Sequence, residues 1–313
     1  MDKERRKIAG IGTPLAFLSL GLGTLLPPLF ISYGDKQSYL IAMILMAIIS
    51  LFFFFLTLPG SRENQEMIER AILMANQRKK QEPFLQTLKY ALKQKNFVAY
   101  LIAYLAFHIL FTIVLASIPY IVPYVLNMQA IGELYISAVL LLACLAAVPF
   151  WFVIVRKYGA RKMFLIGLFW AAIVLIPLLF VQDLLGILLC FAILGFGVSS
   201  LFFGNQLVFS DCIDEIVIET QKRQEGIFLG IRTFIIRLSI IVQALTFWAV
   251  HISTGFDPNL EKQSNLALFG LRVQFALIPM VIITICGLIF LKFYDLTPEK
   301  VNANKIKLKE LKI

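Results

Sequence analysis

Charge is scarce in this sequence, and acidic charge scarcest of all. Only 15% of the 313 residues are charged, against about 25% in an ordinary soluble domain. There are two histidines, His108 and His251, and four cysteines, Cys144, Cys190, Cys212 and Cys286. The cysteines fit neither metal-ligand spacing nor a secreted disulfide framework, and they read as small apolar packing residues. No H-E-x-x-H, no G-x-S-x-G and no paired membrane aspartates occur, so a membrane-embedded enzyme lacks its usual constellations and no catalytic residue is assigned. No metal site and no cofactor are expected. A cleavable signal peptide is excluded as well. Lys3, Arg5, Arg6 and Lys7 precede an apolar stretch that is too long for an h-region and lacks an A-x-A site.

What fills the sequence instead is apolar. Hydrophobic residues make up 59% of the chain. Its mean hydropathy is +0.83. One water-soluble core cannot bury that surplus, which must face lipid. The net charge of +10 does not point to nucleic acid, because Lys and Arg punctuate long apolar runs and no nucleic-acid motif is present. Eight runs approach the roughly 20 residues needed to span a bilayer. They are Ile8–Ile31, Tyr39–Leu58, Phe97–Tyr120, Leu134–Val155, Met163–Phe180, Leu184–Leu207, Ile227–Val250 and Ala267–Phe290. Backbone groups in hydrocarbon must be satisfied within the segment, so these runs are helices and the fold class is all-α, polytopic.

Basic residues alternate along the runs. The N-terminal arm, the loop after the second run, the turn holding Arg156, Lys157, Arg161 and Lys162, the segment with Lys222 and Arg223, and the tail from Lys292 are all basic. The other side holds only Lys36, Lys262 and Arg272. Both termini are therefore expected in the cytoplasm of a cell-membrane protein. Breakers mark the ends. Pro27-Pro28 should close the first helix, Pro119 and Pro123 the third, and Gly159 should sit in a tight turn between the fourth and fifth. Within the polar stretch after Leu58, the spacing of Phe84, Leu85, Leu88, Ala91 and Leu92 predicts a short interfacial helix.

Charge at membrane depth is costly and usually functional. No acidic residue lies in any of the eight cores, and Glu133 and Asp183 stand only at edges. Arg237 follows Ile227 by ten residues, which places it about 15 Å along its helix and near mid-bilayer. An arginine there costs roughly 2.5–3.5 kcal/mol on insertion scales. It should face a cavity or an anion, with Thr233 one turn away on the same face. Arg232, about 140° around the helix and nearer the basic end, is expected to snorkel outward. His108 reads as a packing residue, and Asn205 and Gln206 as partners for hydrogen bonds between helices. The segment Asp211–Gly226 alternates sign through Asp211, Asp214, Glu215, Glu219, Lys222, Arg223 and Glu225. As a connection between two spans, it is a candidate gating loop of salt bridges.

Four stretches carry a family resemblance. Ser210–Gly226 resembles the A-D-x-x-D-Y-x-x-x-x-T-G-x-R-x-E-G signature of the glycoside–pentoside–hexuronide:cation symporters, which include the melibiose carrier and belong to the major facilitator superfamily. Asp211, Asp214, Thr220, Arg223, Glu225 and Gly226 match it. Lys157–Lys162, with Gly159, Arg161 and Lys162, resembles the superfamily's basic turn between helices eight and nine. Ser253–Asn259 resembles the external loop before the last helix, and Tyr294–Val301 the start of the tail.

The resemblance implies that the eight helices correspond to helices five to twelve of a twelve-helix fold. Residues 1–58 would be the last two helices of the N-terminal bundle, 59–96 the linker with its interfacial helix, 97–293 the C-terminal six-helix bundle, and 294–313 a basic tail. It implies solute:cation symport by alternating access, with Arg237, Thr233 and Phe202 lining the solute site. A coupling Na⁺ or H⁺ would bind on helices this sequence does not contain. The implied partners are a small-molecule solute, the lipid bilayer, and an N-terminal half or upstream helices. A non-transporting fragment or half-carrier, and a carrier of an anionic lipid-like solute, are the alternatives. The sequence departs from the family pattern with Arg237 for a lysine, Glu215 for a tyrosine, Gln221 for a glycine and Gly12 for a common arginine.

Overall fold

A computed structural model describes residues 2–61, 64–66, 68–69, 72, 84–221, 225–260 and 262–311, with side chains described from Gly12 onward save at a few positions. Helices α1 (Asp2–Leu25), α2 (Pro27–Phe30) and α3 (Lys36–Thr57) come first. Then follow α4 (Phe84–Ala91), α5 (Lys95–Tyr124), α6 (Ile131–Leu178), α7 (Leu184–Thr220) and α8 (Glu225–Thr254). Last are α9 (Asn265–Arg272), which runs through a π-helical turn at Val273–Leu277 into α10 (Ile278–Phe293), and α11 (Pro298–Glu310). No strand occurs among the described residues.

Helix α6 is two helices. Gly159 has φ 82° and ψ 168°, outside any helical region, and the chain reverses there. The indoles prove the reversal. Trp151 Nε1 donates to the Phe196 carbonyl at 2.7 Å, and Trp170 Nε1 to the Ile193 carbonyl at 2.8 Å. Residues 19 apart on one straight helix would be separated by roughly 28 Å, yet both reach one turn of α7. Six described helices are long and apolar enough to cross a membrane, and a shorter apolar stretch runs over Pro14–Phe30. With α6 taken as two arms, these are the eight segments read from the sequence, and the protein is a polytopic all-α membrane protein.

Small residues let the helices approach closely, the rule where lipid replaces water as solvent. A Cβ built on Gly195 would stand 2.7 Å from the Leu140 carbonyl, and one on Gly167 2.8 Å from Leu201 Cδ2. The core between α5, α6, α7 and α10 is aromatic and aliphatic, with Trp151, Tyr100, Tyr104, Phe107 and Phe191 almost fully buried. Helix α1 packs on the first arm of α6 and on α7. Helix α3 buries only 6% of its apolar window and presents Met43, Phe52 and Phe55 outward.

Some boundaries differ from the expectation. Pro119 and Pro123 lie inside α5, which continues to Tyr124. Each proline removes one intrahelical bond, but Ile118, Ile121 and Val122 are buried on neighbouring positions, and that packing carries the helix on. Pro27 does end α1, but by opening the one-turn helix α2. A short helix forms at the expected position as α4. Asp211–Thr220 is the last stretch of α7 and not a loop. Cys212, Ile213, Ile216 and Val217 are buried at helical spacing, which pulls these residues into regular helix. The helix stops at Gln221, in the left-handed region with φ 51°.

Candidate functional site

The inner face of α5 carries a polar column. Asn96, Tyr100, Tyr104 and His108 recur every four residues and so share one side of the helix. Tyr100 Oη donates to Asn205 Oδ1 of α7 at 2.6 Å. The rings of Tyr100 and Tyr104 stack at 5.4 Å, and His108 meets Tyr104 edge-on at 4.5 Å.

Arg232 of α8 closes this column. Its guanidinium lies 4.9 Å above the Tyr104 ring and 5.0 Å above that of Phe209, and its Nη1 donates to Gln206 Oε1 at 3.0 Å. The expected outward snorkelling does not occur. Two ring faces and an amide oxygen hold the half-exposed cation against the bundle, where each cation–π contact is worth about 0.5–1 kcal/mol. Asn205 and Gln206 do bond between helices, as their polarity in an apolar run required. The tyrosines were missed. The signal for them was three polar-tipped rings at four-residue spacing in an otherwise apolar span.

Arg237 stands about 140° around α8 from Arg232. It is exposed, and no hydrogen bond or ion pair among the described residues holds it. Thr233 is exposed on the same stripe, its hydroxyl donating back to the Leu229 carbonyl at 2.9 Å. A Cβ at Gly226 or Gly230, further along that stripe, would meet nothing within 4 Å. So Arg237 and Thr233 share a face that no described helix covers. Phe202 sits elsewhere. It is half-buried in an aromatic knot with Phe17 of α1 at 5.2 Å and with Phe107 and Phe111 of α5 at 5.0 and 5.1 Å.

The acidic cluster spreads along the end of α7. Asn96 Nδ2 donates to Glu215 Oε1 at 2.9 Å and to Asp295 Oδ1 at 2.8 Å, while Asn96 Oδ1 accepts from the Asp295 backbone at 2.8 Å. Glu219 accepts from Tyr90 Oη at 2.8 Å and Gln94 Nε2 at 2.7 Å. Glu215 and Glu219 thus accept from neutral donors, while Asp295 also pairs with Lys300 at 3.0 Å. Burial, reinforced by Glu219, pushes the Tyr90 hydroxyl up to about 12. Burial opposes ionisation of Asp295, but the bonds from Asn96 and Lys300 outweigh it and hold that carboxyl below its ordinary value. Asp214 is buried, Asp211 is half-buried and both have partners. Arg223 and the side chain of Glu225 lie outside the described residues.

At the basic turn, Gly159 packs on the tail, where an added Cβ would stand 2.9 Å from Pro298 Cγ. Arg161 Nη2 donates to the Leu291 carbonyl at 3.3 Å. Lys157 and Lys162 flank the Tyr158 ring at 5.2 and 5.8 Å.

A family profile described as MFS/sugar transport protein matches residues 1–298. The chain belongs to the MFS/sugar transport protein family. It is therefore a membrane transporter by family, and the family is not enzymatic. No curated protein matches this chain. Within the MFS/sugar transport frame, the resemblance to melibiose-carrier-like proteins stands.

Proposed function

We propose that this chain forms the solute-binding bundle of a secondary active transporter, moving a sugar- or glycoside-like solute with Na⁺ or H⁺ by alternating access. The observation that carries the reading is the pair of arginines at membrane depth, Arg232 against the tyrosine column and Arg237 on the uncovered stripe with Thr233. No described carboxylate forms an ion pair with Arg237. Arginine forks suit the vicinal hydroxyls and carboxylate of a hexuronate, and the unanswered charge extends the candidates to anionic lipid-like solutes. His108, partly exposed at the end of the column, supplies a polar ring edge of the kind a sugar packs against. The basic end, with the tail, faces the cytoplasm of the cell membrane in this reading.

One observation favours a second reading, a half-carrier completed by other helices. The Gly226–Gly230–Thr233–Arg237 stripe is exposed, and a lone arginine on a lipid-facing stripe is unfavourable. Further helices, on the same chain or another, would cover it, form the second wall of the cavity and hold the coupling cation.

Purified protein in proteoliposomes, with an imposed Na⁺ or pH gradient, tests the choice against labelled glycosides, hexuronates and lysolipids. Gradient-dependent uptake that falls at least tenfold in Arg237→Gln supports symport. Absence of such uptake for every solute rules out transport by this chain alone and leaves the half-carrier.

A further inference from the structure

A second polar feature lies across α7 from the tyrosine column. It is a cavity of about 220 Å³ at the basic end, between the Gly159 reversal, the end of α7 and the tail helix α11. Its polar walls include Arg156, Lys157, Arg161, Ser210, Asp211 and Lys305. Leu207, Ser210 and Asp211 face it from α7, whereas Asn205 and Phe209 lie roughly half a helical turn around. Neither Arg232 nor Arg237 lines it.

The charge balance inside is uneven. Four cations, from both sides of the reversal and from the tail, surround one carboxylate. Arg161 is only partly satisfied, because its Nε is buried without a hydrogen-bond partner while its Nη2 reaches the Leu291 carbonyl. Topogenic charge explains why this end is basic, but it does not require cations from separate helices to converge on one half-open cleft. Convergent guanidinium and ammonium groups at a membrane surface are the pattern that recognises phosphate. The size agrees. The cavity is below the 300–1,000 Å³ of ordinary small-molecule pockets, and corresponds to about seven water volumes of roughly 30 Å³. That holds a phosphate group and a few waters.

We propose that this cavity binds a phosphate-bearing anion through Arg156, Arg161 and Lys305. Its source is either an anionic phospholipid head group or a soluble phosphate monoester. Because the ligand would bridge the α6 reversal and α11, its binding pins the tail to the bundle.

The test is the thermal unfolding midpoint of the purified chain in a maltoside detergent, read by tryptophan fluorescence. Phosphatidylglycerol, phosphatidylcholine and soluble glycerol 3-phosphate are each titrated in. A binding ligand stabilises the folded state by mass action, so the midpoint is expected to rise by several degrees with an anionic phosphate and to stay level with phosphatidylcholine. Arg156→Gln and Lys305→Gln should each lose the rise while keeping the ligand-free midpoint. Should either variant unfold early, native mass spectrometry on the other counts retained phosphatidylglycerol, expected to drop at least fivefold. A rise with glycerol 3-phosphate assigns a soluble ligand, and a rise with the lipid only assigns the head group. No rise from either, or a rise undiminished in both variants, overturns the site.

Discussion

Arg232 and Arg237 are five residues apart on α8 and meet opposite surroundings. Arg232 is clasped by Tyr104, Phe209 and Gln206, while Arg237 is exposed. Their substitutions should therefore separate. Removing Arg232 deletes two ring contacts and a hydrogen bond to the exposed Gln206, so Arg232→Ala is expected to destabilise the protein by about 1–2 kcal/mol. Arg237→Ala removes no such bond and is expected to change stability by less than about 0.5 kcal/mol. Unfolding midpoints of the two variants in detergent decide the matter, and equal losses would show that Arg232 is not held as described. The arginines also mark a limit of reading. Depth along the helix is computable from residue count, which located Arg237. Direction is not, because it depends on which rings a neighbouring helix presents, and that is why Arg232 was expected to point outward.

At the scale of elements, the hinge at Gly159 divides α6 into two spans and rests on the tail. Its φ of 82° is costly for any residue with a Cβ, by roughly 1–2 kcal/mol, and that Cβ would press on Pro298. Gly159→Ala is thus expected to lower the unfolding midpoint, and to raise hydrogen exchange in residues 298–310 because the tail loses its seat. An unchanged exchange pattern would mean that the tail does not rest on the turn. Elements with strong apolar periodicity were legible in advance: the eight apolar segments, the short helix α4 and the Gly159 turn all stand where hydropathy and breakers put them. The element ends were less so. Asp211–Thr220 carries enough charge to look like a loop, yet its buried face of Cys212, Ile213, Ile216 and Val217 makes it helix. Pro119 and Pro123 signal a stop that tertiary packing overrides.

The whole molecule is a set of membrane crossings with one well-packed side and one open stripe. Contacts among α5, α6, α7 and α10 bury the large aromatics, while no described residues cover most of α3 or the Arg237 face of α8. Composition predicted the membrane, and the motif at Ser210–Gly226 pointed to the family that residues 1–298 match. The polar column behind Arg232 was legible only as the four-residue spacing of Tyr100, Tyr104 and His108, since packing alone brings α5, α7 and α8 together.

The central claim is that the Thr233–Arg237 stripe lines a water-filled solute path. Cysteine accessibility in intact membranes tests it directly, in a background whose four native thiols are replaced by alanine. Single cysteines at Thr233, Arg237 and Ala244 are treated with a charged methanethiosulfonate and compared with one at Ile193, exposed on α7. The stripe positions are expected to react at least tenfold faster than Ile193→Cys. Reaction at 233 and 237 as slow as at 193 would place the stripe in lipid and contradict the solute path.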